Sequence, residues 1–274
     1  MGRGSHRGYT LPGMGLRQVI ARALGPANLD EVVLISRVIA AEPGTMIDVG
    51  AHHGYAMDPF LRRGWTVYGF EPDPANRQVL TSRHPDVAID PRAVSETDGE
   101  AVSLFTSDVS TGISTLSPFH GTHAATATVQ TVRLDTFLAD KDVKNVDFLK
   151  VDIEGYDLFA LRSFPWDIHH PRAVVCEFED HKTVPLGHTV HDIAKFLEQH
   201  GYRVIVSEWE PIVEYGTEHT WKRFVRYPAQ ISPDGWGNLI AVQPQFLAAT
   251  ERAEAATIRR LRVRRWVDRL RGRL

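Results

Sequence analysis

A chain of 274 residues with 43% hydrophobic content can bury one large α/β core with extensions, or at most two small ones. The single cysteine, Cys176, excludes an internal disulfide, and no apolar run reaches the roughly 18 residues a membrane span needs. The net charge of −3 hides an asymmetry: Glu251 to Leu274 holds nine arginines against three acids, so this tail carries +6 and the remainder −9.

Residues 1 to 27 are rich in Gly, Pro and Arg, with an apolar piece at Leu16 to Leu24, and lack the apolar centre of a secretory signal, so a cytoplasmic location is expected. Asn28 reads as a helix N-cap, with Glu31 three positions on as in a capping box, and this helix should stop before Pro43-Gly44. Strand 45–49 then leads to a helix near 55–63, strand 66–70 to a helix near 74–82, and Val87-Ala88-Ile89 begins a third strand. Such alternation with short loops predicts a doubly wound, mostly parallel sheet of Rossmann-like type, with ligands at the carboxyl ends of the strands, where Asp48, Glu71 and the segment Asp90 to Val94, with Ala93, would gather.

Between 99 and 134 the rhythm breaks. Two β-branched strands, 101–105 and 128–132, bracket the polar loop Thr111 to Leu116, which would be free to close over a bound cofactor. Alternation resumes with strand 146–152, a helix to about Ser163, strand 173–178 containing Cys176 as a buried thiol, a helix near 189–200 and strand 202–206. The chain is irregular and aromatic from 207 to 238, where Trp209, Tyr215, Trp221 and Trp236 would stack on sugar faces or pack the cap; Asn238 to Val242 is the last strand. The domain division is therefore 1–44 (extension and helix), 45–243 (core) and 244–274 (basic helix).

The stretch Ile47-Asp48-Val49-Gly50-Ala51-His52-His53-Gly54 reads as strand, tight turn and helix, a cradle for a nucleotide. Glu71, 23 positions after Asp48 and at the end of the next strand with Pro72, can accept both hydroxyls of a ribose. A nicotinamide-dependent oxidoreductase would use the same logic, but its fingerprint is Gly-x-Gly-x-x-Gly, and Asp48 would repel a pyrophosphate. An acid facing the loop suits a ligand with a cationic end, such as the ammonium and sulfonium of S-adenosylmethionine.

Together with Phe70-Glu71-Pro72-Asp73-Pro74, Val132-Arg133-Leu134-Asp135-Thr136-Phe137 and Phe148-Leu149-Lys150-Val151-Asp152-Ile153-Glu154-Gly155-Tyr156, this stretch resembles the FkbM family of S-adenosylmethionine-dependent methyltransferases, over roughly residues 45–206. The resemblance implies a class I methyltransferase fold and methyl transfer, usually to an oxygen of a sugar, polyketide or glycolipid. By the same resemblance Asp48, Gly50, Ala51 and Gly54 line the methionine end of the cofactor, Glu71 holds the ribose and Asp152 sits near the methyl. His52 stands where the family usually has Asn. A methyltransferase-like module that only scaffolds a pathway is a further alternative.

Transfer to a hydroxyl needs a base as well as alignment. His181, directly after strand 173–178, is the leading candidate, against His52 and His53 in the cofactor loop and His188 and His191 beside a helix start. Asp152 is expected to position rather than to deprotonate, and Glu177 to orient the acceptor. A magnesium variant would use Asp152, Glu177, Glu179 and Asp180. In the tail, Val263, Trp266, Val267, Leu270 and Leu274 share one face of a basic helix, which suggests peripheral contact with an anionic membrane, or packing on its own domain; nucleic acid ranks behind both because the body is acidic.

Overall fold

The computed structural model describes residues 29–215, 217 and 219–270; the apolar piece at Leu16 to Leu24 and Asn28 lie outside them. Among the described residues, Asp30–Glu254 form one compact unit, and those from Ala255 onward belong to a second.

Helix α1 (Glu31–Ile39) is capped by Asp30, whose carboxylate accepts the Val33 N–H at 2.8 Å. The cap thus falls two residues after the expected Asn28. Glu31 is not part of a capping box either: its buried carboxylate accepts from Ser207 Oγ at 2.6 Å and Trp209 Nε1 at 2.9 Å. Then follow β1 (Thr45–Val49), a 3₁₀ turn with the short α2 (Asp58–Leu61), β2 (Thr66–Phe70), α3 (Pro74–Arg83), β3 (Ala88–Asp90), β4 (Ala93–Val94), β5 (Ala101–Thr106), β6 (Ala124–Val132) and α4 (Leu134–Asp140). The second half runs β7 (Phe148–Val151), α5 (Asp157–Arg162), β8 (Ala173–Glu179), α6 (Asp180–Thr183), α7 (Val190–Gln199), β9 (Arg203–Trp209), β10 (Trp221–Arg226), β11 (Trp236–Val242) and α8 (Leu247–Leu270).

Eight strands form the main sheet in the order β10-β9-β11-β8-β7-β1-β2-β3. Strands β3, β2, β1, β7 and β8 are mutually parallel, while β11 runs antiparallel to both β8 and β9. The order reverses beside β1, the point where a doubly wound sheet opens a crevice. Strand β1 is central because both its faces are covered: Met46, Ile47, Asp48 and Val49 are all fully buried. Strand β10 replaces part of the irregular stretch expected at 207–238; its half-exposed residues on the sheet edge show no clean alternation for a sequence to reveal.

The insertion between β3 and α4 makes a second sheet, β4-β6-β5, with β5 and β6 antiparallel. The long connection between those two strands carries the 3₁₀ turn Thr111–Ile113 back to the crevice. Tryptophans 209, 221 and 236 serve packing. Trp209 and Trp236 lie 5.4 Å apart, Trp236 Nε1 donates to Glu210 O at 2.8 Å, and Trp221 Nε1 to Ser207 Oγ at 3.2 Å. Cys176 is buried in β8, as expected.

Candidate active site

At the carboxyl ends of β1, β2, β7 and β8 lies a cavity of about 210 Å³, lined among others by Gly50, Glu71, Ala93, Asp152, Glu154 and Glu177. The loop predicted to close over a cofactor forms one wall, through Thr111, Gly112, Ser114, Thr115 and Leu116. It is tied down by Asn76 Nδ2 to Thr111 O (2.9 Å), Ser114 Oγ to Asp73 (3.1 Å) and Thr115 Oγ1 to Glu154 O (3.0 Å).

The turn after β1 is shaped by Gly50, at φ +78; a Cβ there would lie 1.9 Å from the Asp152 carbonyl oxygen. The amides of Gly50 and Ala51 both donate to Phe70 O, at 3.1 and 2.9 Å, so these two hold β1 to β2. The helix expected near 55–63 is present over 55–61, its first turn 3₁₀ (Tyr55–Met57) and the rest α2. Of the amides in the turn anticipated as a cradle, those of Gly50 and Ala51 are taken by Phe70 O and that of His52 by Glu71 Oε2. Ala51 and Gly54 stay outside the lining: a Cβ on Gly54 would meet Leu80 Cδ1 at 2.5 Å, so its role is to pack the turn on α3.

Glu71, with Pro72 beside it, lies where the sequence placed it, at the mouth of β2. Oε2 accepts the His52 amide at 2.7 Å and Oε1 the Asp73 amide at 2.9 Å. Each oxygen keeps a lone pair for a further donor. Burial pushes this carboxyl up to about 7, against the pull of the two amides. His52 adopts a left-handed φ of 48, a region Asn and His tolerate better than most residues. Its ring stacks on His53 at 3.7 Å and meets Thr111 Oγ1 at 2.9 Å, and desolvation, then His53, lowers its pKa to about 4. Asp90 is held by Arg92, which reaches both carboxylate oxygens from Nε and Nη2 at 2.9 and 2.7 Å.

Asp48 does not face the cavity. It is fully buried behind the turn, and Lys150 Nζ stands 3.2 Å from its Oδ1. The same ammonium donates to Gly50 O at 2.9 Å and lies 3.4 Å from Asp152. Desolvation still raises the Asp48 carboxyl above its usual range. Asp48 and Lys150 thus form a buried pair that holds the Gly50 turn, and the charge expected to meet a cationic ligand is already neutralised. Asp152, less buried, does line the cavity.

Beside the lining residues Glu154 and Glu177, Lys182 Nζ is 2.7 Å from Glu179 and 3.5 Å from Glu177, and also contacts Glu154. Glu154 is held at φ 57, a left-handed conformation that costs a side-chain-bearing residue about 1 kcal/mol or more. Desolvation drives its carboxyl to about 7, and burial followed by repulsion from Glu154 pushes Glu177 well above the carboxylate range. Asp152, Glu154 and Glu177 bring oxygens within 4.8 Å of one another, the set in which a cation would be sought. Lys182 already supplies that charge, and the other two expected magnesium ligands are engaged. Asp180 accepts the Val190 amide at 2.7 Å, and Glu179 the Tyr215 hydroxyl at 3.1 Å. The donor set does not fit a resident divalent ion.

His181 is exposed on α6 and faces a different groove, lined also by His120, Glu179 and Tyr215. His188 packs on Phe159 at 5.5 Å, and His191 Nδ1 meets the Tyr227 hydroxyl at 3.3 Å; neither lines the cavity. Position therefore does not support His181, His188 or His191 as the base; His52 lines the cavity, with its backbone amide on Glu71, and Glu177 lines it as well. The sequence reading missed Lys150, Glu154 and Lys182. Lys150 carried a signal, being a lysine inside the apolar strand Phe148-Leu149-Lys150-Val151, where burial demands a partner. Lys182, beside exposed His181 on a four-residue helix, carried none.

Residues 48–204 match the model of the methyltransferase FkbM domain. A search of curated proteins finds no match. Among solved structures, the chain is similar to magnesium protoporphyrin IX methyltransferase from Synechocystis PCC 6803 with bound SAM, at 14% identity and TM-score 0.42, covering 86% of this chain and 87% of that one. It is also similar to an O-methyltransferase from Bacillus cereus in complex with SAH, at 14% identity, TM-score 0.40 and 83% and 88% coverage. Precorrin-6y C5,15-methyltransferase from Geobacter metallireducens GS-15 follows at 10% identity, TM-score 0.40 and 78% and 88% coverage.

Proposed function

The chain belongs to the FkbM methyltransferase family, and from that premise we propose that it transfers the methyl group of S-adenosylmethionine to a hydroxyl of a sugar, glycolipid or related polyhydroxylated metabolite. The observation that carries this reading is one cavity lined both by Glu71, a carboxylate with spare lone pairs, and by the buried pair Glu154 and Glu177. The residues present fit the cofactor: Glu71 would hold the ribose hydroxyls, Gly50 leaves the turn open, and Asp152, which lines the same cavity, would offer a carboxylate to its cationic end. When bound, S-adenosylmethionine supplies an electrophilic methyl on a good leaving group.

The chain's own task is then to align the hydroxyl and take its proton. An ordinary carboxylate is too weak a base, but one raised to about 7 by burial is matched to work near neutrality. Glu154 and Glu177 share a site in which like charges resist double ionisation, so one of them stays ionised beside Lys182 and takes the hydroxyl's proton, becoming neutral as it does so. A polar acceptor is favoured because the wall around it is acidic and offers hydrogen-bond acceptors to hydroxyls. A dinucleotide finds less support: the Gly50 and Ala51 amides that would meet a pyrophosphate are already bonded to Phe70 O.

The test is incubation of the purified protein with methyl-labelled S-adenosylmethionine and cell-envelope glycan extract. Label in an O-methyl sugar supports the reading, and label only in protein or nucleic acid, or nowhere, contradicts it.

A further inference from the structure

Helix α8 is 24 residues long, and its two long faces are used differently. Thr250, Glu254, Thr257 and Leu261, spaced i, i+4, i+7 and i+11, are all buried. Nearly opposite them on the helical wheel lie Val263, Trp266 and Val267; Val263 is 49% exposed and Trp266 63% exposed. A helix that has already buried one stripe has no internal need for a second apolar face. Leaving a tryptophan in water also forgoes the burial of one of the largest apolar side chains.

Apart from Asp268, the charged residues at this end of the helix from Arg262 on are arginines. Arg262 and Arg265 are exposed, and they stand with Arg264 off the Val263–Trp266–Val267 arc at this end of the helix. An apolar strip edged by guanidinium groups, with tryptophan on the strip, matches a lipid interface: the strip enters the headgroup boundary while the arginines meet anionic headgroups. Among the described residues no helix is long and apolar enough to cross a membrane, so the contact would be peripheral. Nucleic acid would use the arginines but gives Val263 and Val267 nothing apolar to bury against.

We propose that the Val263–Trp266–Val267 face of α8 docks the protein on an anionic membrane surface. This stands apart from the methyl-transfer reading, since it involves no residue of the cavity. Co-sedimentation of the full chain with vesicles of phosphatidylcholine alone, or with phosphatidylglycerol added, tests it. Binding is expected to the anionic vesicles and to weaken about tenfold for Trp266→Ser and by at least as much for Arg262→Gln/Arg265→Gln, since each arginine near such a surface is worth roughly a factor of five. Thermal unfolding of both variants should match the parent, which separates lost docking from lost folding. Equal binding to both vesicle types, no binding to either, undiminished binding by Trp266→Ser, or retention on duplex DNA in preference to vesicles would each overturn the proposal.

Discussion

Replacing Lys150 by Met removes the counter-charge of Asp48, a carboxylate with no exposed surface and, among the described residues, no well-aligned hydrogen-bond donor. Breaking a buried ion pair from one side costs about 3–5 kcal/mol, a large share of the roughly 5–15 kcal/mol that holds a domain together. Asp48 can escape by taking up a proton, because burial already raises its carboxyl. The folded variant then binds a proton that the unfolded chain has released. Its stability is intact below the unfolded pKa and falls by up to about 1.4 kcal/mol per pH unit as pH rises toward the folded value. The Asp48→Asn/Lys150→Met double variant carries neither charge and should recover all but about 1 kcal/mol, the remainder reflecting the lost bond from Lys150 to Gly50 O. Urea unfolding of the parent, both single variants and the double variant at pH 6 and pH 8 reads all of this. If Lys150→Met lies within about 1 kcal/mol of the parent at pH 8, or the double variant is no more stable than Lys150→Met, the pair does not hold the turn.

Gly50→Ala places a methyl against the Asp152 carbonyl and forces a left-handed alanine, so S-adenosylmethionine affinity should fall at least about tenfold in calorimetry; an unchanged affinity would show that the turn does not shape the site. Glu71, raised to about 7, is protonated below that pH and then loses acceptor capacity, so cofactor affinity should drop as pH falls from 8 to 6 in the parent and stay flat in Glu71→Gln. Glu177→Gln should reduce turnover about a hundredfold with cofactor affinity kept, while His181→Ala, outside the cavity, should stay within about twofold; the reverse pattern would return the base to histidine.

Much of this was legible because strand register and strand ends are local properties. The run ending at Asp48, the Phe70-Glu71-Pro72 echo and the Lys150-Val151-Asp152 segment fixed three neighbouring strand ends, and Glu71, Ala93, Asp152 and Glu177 all reached one cavity. What a strand pattern does not say is which face a charged residue points to. Asp48 turned inward because Lys150, 102 positions further along the chain, arrives opposite it through the parallel pairing of β1 with β7. Lys182 stayed hidden for a related reason: its partners Glu154, Glu177 and Glu179 come from two different strand ends, and only the folded loops bring them to one ammonium. The edge strand β10 was missed because exposed edges lose the alternation that marks a strand.

Calorimetric titration of the parent and of Glu71→Ala with S-adenosylmethionine tests the central claim most directly. The account predicts one bound equivalent for the parent and a loss of at least about tenfold in affinity for the variant, close to 1.4 kcal/mol or more. Absence of binding to the parent, or equal binding to both proteins, would contradict it.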